Sequence, residues 1–145
     1  MLEASPEVEQ LAYLTIGAAI EVHRHLGPCL LESAYEAAMV IELGLRGVPV
    51  QDQVEILVDY KGHTIATPRV DLIVGNLLVV ELKCVETLSA VHVAQTLGYL
   101  AAGGFELGLI INFKTAAVRQ GVRRVIRSLD PTDAFAPSRL RGQSV

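Results

Sequence analysis

The stretch from Arg69 to Lys83 constrains this chain more than any other. It holds two β-rich runs, Arg69–Val74 and Leu77–Lys83, joined across Gly75-Asn76. Side chains alternate along a strand, so Val70, Leu72 and Val74 share one face of the first run, and Leu78, Val80 and Leu82 share one face of the second. The other faces carry Arg69, Asp71 and Ile73, and Leu77, Val79, Glu81 and Lys83. Each strand thus has a wholly apolar face that needs a core and a second face on which charge gathers.

The register of the hairpin follows from parity. A plain two-residue turn at Gly75-Asn76 pairs Val74 with Leu77 and Asp71 with Val80, which brings a carboxylate to the core side. A three-residue loop Val74-Gly75-Asn76 instead pairs Ile73 with Leu77, Asp71 with Val79 and Arg69 with Glu81, with Asn76 suited to the left-handed closing position. That register keeps Asp71 and Glu81 on one side, and it is the one expected.

The remaining elements follow from period and punctuation. Apolar residues Leu11, Leu14, Ala18, Val22 and Leu26 predict a helix over Val8–Leu26, stopped by Gly27-Pro28. A second helix is expected over Leu31–Arg46, closed by Gly47 and Pro49. Val50–Tyr60 reads as β, with a turn at Lys61-Gly62-His63 and Thr64–Thr67 pairing back. Ala90–Ala101 reads as a helix, Leu107–Phe113 as a strand and Val118–Leu129 as a final helix. The order implies an α/β domain, a mixed sheet with helices against its faces, over residues 1–130. The stretch 131–145, which contains Pro, Ser and Arg and no apolar period, reads as a poorly ordered tail.

No run approaches the roughly 20 apolar residues of a membrane span. The opening residues lack the features of a secretory signal, which points to the cytoplasm. Cys29 and Cys84 complete no zinc spacing and read as reduced thiols. The net charge of −4 hides a segregation: residues 1–113 hold 5 Lys/Arg and 14 Asp/Glu, while residues 114–145 hold 7 and 2. Within the expected C-terminal helix Arg119, Arg123 and Arg127 fall at four-residue steps, a stripe able to track phosphates, although most such runs are solvated faces. Seven aromatic residues argue against an extensive base-stacking platform.

Two carboxylates and a backbone carbonyl at a strand edge form an oxygen-rich site suited to Mg²⁺ or Mn²⁺, with Lys83 placed to serve a nucleophile or developing charge. Such a site suits phosphodiester hydrolysis. Taken alone, Arg69, Asp71, Glu81 and Lys83 fit an ion-pair network at a sheet rim better. His92, Gln95 and Tyr99 share one helix face, which is either turned toward a charged site or open to solvent. Glu32, one turn before Tyr35, either adds a carboxylate or complements the helix dipole.

The segments Leu26-Gly-Pro-Cys-Leu-Leu-Glu-Ser-Ala-Tyr35, Tyr60-Lys-Gly62, Arg69-Val-Asp71, Val80-Glu-Leu-Lys83, Gln95-Thr-Leu-Gly-Tyr99 and Gly108-Leu-Ile-Ile-Asn-Phe113 together resemble the GxxExxY protein family, from about Leu11 to Val125. That family is placed in the PD-(D/E)XK nuclease superfamily, with a restriction-endonuclease-like core. The resemblance implies Asp71 and Glu81 as metal ligands, Lys83 as catalytic lysine, Glu32 as accessory acid, and Gln95 and Tyr99 as the helix motif of related nucleases. One departure is that the first Gly of the family's name falls on Cys29. The expected function is a metal-dependent nuclease acting on DNA; the alternative is a non-catalytic nucleic-acid-binding or assembly module that keeps the fold. A homo-oligomer or a protein partner supplying specificity is a further expectation, because so short a chain leaves little surface for sequence readout.

Overall fold

The computed structural model describes residues 3–127, so the expected tail at 131–145 lies outside the described residues. Helix α1 spans Pro6–Leu26 and opens on a proline in its first turn, where the missing N–H costs nothing and φ is already helical. It ends at Gly27, whose φ of 74° is open to glycine without strain. Helix α2 spans Glu32–Leu45 and buries Tyr35, Met39 and Leu43. These three recur at four-residue steps, and full burial of each apolar side chain contributes about 2 kcal/mol.

The central sheet has the order β1-β4-β5-β6-β7, with β1 Val50–Glu55, β4 Arg69–Val74, β5 Leu78–Lys83, β6 Leu107–Asn112 and β7 Val122–Ile126. Among the described residues only β5 and β6 run parallel, joined by helix α3 (Ala90–Gly103), while the other neighbours are antiparallel. Strands β2 (Val58–Tyr60) and β3 (His63–Ala66) form a separate hairpin around Lys61 and Gly62, both at positive φ, as the turn residues imply. Leu72, Val74, Leu78, Val80, Leu82, Leu109 and Ile111 meet α1 and α2 on one side of the sheet. Ile73, Val79, Ile110 and Val125 meet Leu100 of α3 on the other. This is the expected α/β architecture of a mixed sheet with helices on both faces. None of the described helices is long and apolar enough to cross a membrane.

Two expectations are corrected. The hairpin β4–β5 pairs Leu72 with Val80, Ile73 with Val79 and Val74 with Leu78, two residues away from the expected register. Gly75 and Asn76 both take positive φ and Leu77 N–H bonds to Val74 O at 3.1 Å, so the two-residue turn does form. Leu77 is the additional residue that restores parity, and it leaves Asp71 and Glu81 on the same side, as expected.

The second correction concerns the expected C-terminal helix. Val118–Gly121 forms one 3₁₀ turn and Val122–Ile126 is an edge strand antiparallel to β6. Val122, Val125 and Ile126 are β-branched, and the exposed edge of β6 offers ladder hydrogen bonds that a helix forgoes. Arg119, Arg123 and Arg127 therefore form no helical stripe. Arg119 and Arg123 are exposed, whereas Arg127 is 5% exposed and its Nε donates to Phe105 O at 2.8 Å. Arg124 instead pairs with Glu9 of α1 at 2.7 Å.

Candidate active site

The pairing of β4 with β5 stops at Leu72 and Val80, although β4 continues along β1 and β5 continues along β6 to Lys83. Where the two strands part, carboxylates replace the ladder. The N–H of Asp71 donates to Glu81 Oε1 at 3.0 Å, and the N–H of Leu82 donates to Asp71 Oδ2 at 2.8 Å. Asp71 is half-buried and Glu81 is 7% exposed. Burial, and then the adjacent Asp71, push the Glu81 carboxyl up to about 7, against smaller downward effects from the Asp71 N–H and Lys83. A carboxylate removed from water beside a second carboxylate is a site of excess negative charge.

The surroundings come from four elements. On α3, burial, and then the charges of Glu81 and Asp71, raise the Tyr99 phenol above its usual range. Gln95 lies one turn earlier on α3 and is exposed, and His92 is used locally, its Nδ1 accepting from Ser89 N–H at 3.1 Å in a capping box. Glu32, exposed at the first turn of α2, lies close enough for its charge to raise the Glu81 pKa. Tyr35 is structural: it stacks on Phe113 at 4.2 Å, and its hydroxyl donates to Gly27 O and accepts from Leu30 N–H, fixing the loop ahead of α2. Cys84 Sγ meets Leu30 O at 3.4 Å and ties that same loop to the end of β5.

Lys83 is held from the backbone side. Its carbonyl accepts from Phe113 N–H at 2.9 Å, and the buried Asn112 side chain bonds Val85 N–H and O at 3.0 and 2.8 Å, pinning the chain that leaves β5. Two residues not singled out in the sequence join the site. Glu36 Oε1 accepts from Gln53 Nε2 at 2.7 Å, and that same nitrogen reaches toward Asp71 Oδ1 at 3.4 Å. Burial, with the charges of Asp71 and Asp52, raises the Glu36 carboxyl despite the bond from Gln53. Glu36 was signalled by its position four residues after Glu32, which gives both one helix face. Gln53 was signalled by no sequence pattern.

The donor set fits a hard divalent cation. Oδ2 of Asp71 and Oε1 of Glu81 are engaged by backbone N–H groups, which leaves Glu81 Oε2, and Asp71 Oδ1 with its long contact from Gln53, as the oxygens to offer. Among the described residues no group of three or more His, Cys, Asp or Glu side chains gathers to hold a metal by itself. The rest of a coordination shell would come from a backbone carbonyl and water, which Mg²⁺ accepts readily. Excess negative charge at the pair is what such an ion would relieve.

A search of curated proteins finds no match. A similar solved structure is the alkaline exonuclease LHK-Exo from Laribacter hongkongensis, at 15% identity and a TM-score of 0.48, covering 88% of this chain and 73% of that one. The profile of the PD-(D/E)XK nuclease superfamily matches residues 9–125, which include α2, the Asp71 strand, the Glu81-Leu82-Lys83 strand and α3. By that match across most of its length, the chain belongs to the PD-(D/E)XK nuclease superfamily.

Proposed function

We propose that this protein is a divalent-metal-dependent nuclease that hydrolyses phosphodiester bonds in DNA, with Asp71 and Glu81 as metal ligands and Lys83 as the catalytic lysine. The observation that carries this reading is the carboxylate pair bound across the parting ends of β4 and β5, with Glu81 raised to about 7. A bound Mg²⁺ or Mn²⁺ supplies positive charge for the transition-state phosphate and acidity for a water nucleophile. Lys83, on the same strand and side as Glu81, brings an ammonium to the charge that develops on the phosphate. Tyr99 stays protonated and offers a hydrogen bond at the rim. Gln95, exposed on the same helix, meets the substrate, and Glu32 acts as accessory acid.

Within the superfamily we assign the chain to the GxxExxY protein family. Cys29 replaces the first Gly of that pattern, but it is exposed and its backbone lies outside the left-handed region, so its position tolerates a side chain. Arg119 and Arg123 remain exposed as cations for the nucleic-acid backbone, and Arg127 drops out of that role. Incubating the purified chain with labelled DNA in Mg²⁺, Mn²⁺ or EDTA tests the reading. Cleavage that needs the cation supports it, and binding with no cleavage in any cation identifies a non-catalytic module.

A further inference from the structure

The distortion of β1 at Gln53 points to a residue that serves Asp71. Pairing of β1 with β4 runs Val50↔Val74, Gln51↔Ile73 and Asp52↔Leu72, then resumes at Val54↔Val70 and Glu55↔Arg69. The missing step is Gln53, which lies opposite Asp71. Its φ is 51°, a left-handed conformation that an L side chain without local compensation avoids. Leaving the ladder there sacrifices strand geometry at the one position facing the carboxylate.

The side chain shows what the distortion achieves. One nitrogen, Nε2, carries two hydrogens, and its two acceptors are Glu36 Oε1 at 2.7 Å and Asp71 Oδ1 at 3.4 Å. A neutral donor between two carboxylates satisfies both without cancelling the charge that a cation needs. The short bond anchors the amide to α2, and the long one leaves Oδ1 loosely held. Oδ2 of Asp71 is held by Leu82 N–H, so the Gln53 amide is a second tether on the planar carboxylate, acting on the oxygen that faces away from the backbone. Strained backbone retained where it aims a side chain at a functional group is a recurring device of active sites.

We propose that Gln53 is a positioning residue, anchored by Glu36, that aims Asp71 Oδ1 for a divalent cation. This rests on the reading of Asp71 and Glu81 as metal ligands. A merely structural Gln53 and a positioning Gln53 differ in what glycine does there. Gln53→Gly removes the amide but relieves the backbone, so stability holds or rises while the aim is lost.

The test is calorimetric titration of the purified chain with Mn²⁺ in the absence of nucleic acid, with thermal melts alongside, for the wild type, Gln53→Gly, Glu36→Ala and Asp71→Asn. The expected result is a Gln53→Gly melting temperature at or above wild type with Mn²⁺ affinity weakened about tenfold or more, and a change in the same direction for Glu36→Ala. Asp71→Asn loses the site. Wild-type Mn²⁺ affinity in Gln53→Gly beside loss in Asp71→Asn overturns the role of Gln53 and leaves the cation reading standing. Equal titrations for wild type and Asp71→Asn overturn both.

Discussion

Asp71 and Glu81 are bound to each other across two strands that have stopped pairing: the Asp71 N–H donates to Glu81 Oε1 at 3.0 Å at the step beyond Leu72↔Val80. The carboxylates therefore hold the strand ends open and also constitute the site. Isosteric substitution separates these duties, because Asn and Gln each keep one acceptor oxygen for the backbone. Asp71→Asn and Glu81→Gln are expected to remain folded by circular dichroism while cleavage falls about 100-fold or more. Lys83→Met follows the same pattern, and full activity in any of the three contradicts its assignment.

The raised Glu81 carboxyl makes stability depend on pH in an unusual direction. With the folded value near 7 and the ordinary one 4.5, the native state keeps a proton that the unfolded chain releases between those values. Stability from this group is thus greatest below the ordinary value and declines as pH rises toward 7, the ionised form costing about 3 kcal/mol above it. In EDTA the melting temperature should fall between about pH 5 and about pH 8, the fall should flatten in Glu81→Gln, and Mn²⁺ should restore stability at the alkaline end. A wild-type melting curve as flat as that of Glu81→Gln contradicts this.

The three arginines that share a spacing in the sequence should separate in experiment. Arg127→Ala leaves Phe105 O without its buried donor and should destabilise the fold by about 1–3 kcal/mol, measured by urea unfolding, without altering the salt dependence of DNA binding. Arg119→Ala with Arg123→Ala should leave stability nearly unchanged and flatten the salt dependence by roughly 0.9 units of slope per lost phosphate contact. An unchanged slope in the double variant assigns both side chains to solvent.

Helix α3 lies close to β6 because Gly108 has no side chain. A Cβ there would stand 2.9 Å from Cγ2 of the buried Thr96 and 3.3 Å from Leu100 Cδ2. Gly108→Ala should push α3 outward, cost about 1–3 kcal/mol and lower activity by displacing Tyr99 and Gln95. A variant with wild-type stability shows that α3 accommodates the methyl group.

Local signals made much of this structure readable, and the rest depended on partners distant in sequence. Apolar periodicity with glycine and proline stops located α1 and α2, and β-rich runs located β4 and β5. Parity alone placed Asp71 and Glu81 together even though the register was wrong, because a two-residue slip preserves the face. The additional residue Leu77 was invisible, since only the three-dimensional turn shows which residue leaves the ladder. The last element was misread because Arg119, Arg123 and Arg127 carry a helical spacing, while what decides Val122–Ile126 is the free edge of β6. Gln53 escaped notice for a similar reason: its role arises from a positive φ opposite Asp71, and neither is written in the residues beside it.

The most direct measurement of the central claim is the cleavage rate of end-labelled DNA by the wild type and Glu81→Gln, each in Mg²⁺, Mn²⁺ and EDTA. The account predicts cleavage by the wild type with either cation, none in EDTA and none above background in Glu81→Gln. Cleavage that persists in EDTA, or that Glu81→Gln retains at the wild-type rate, would contradict it.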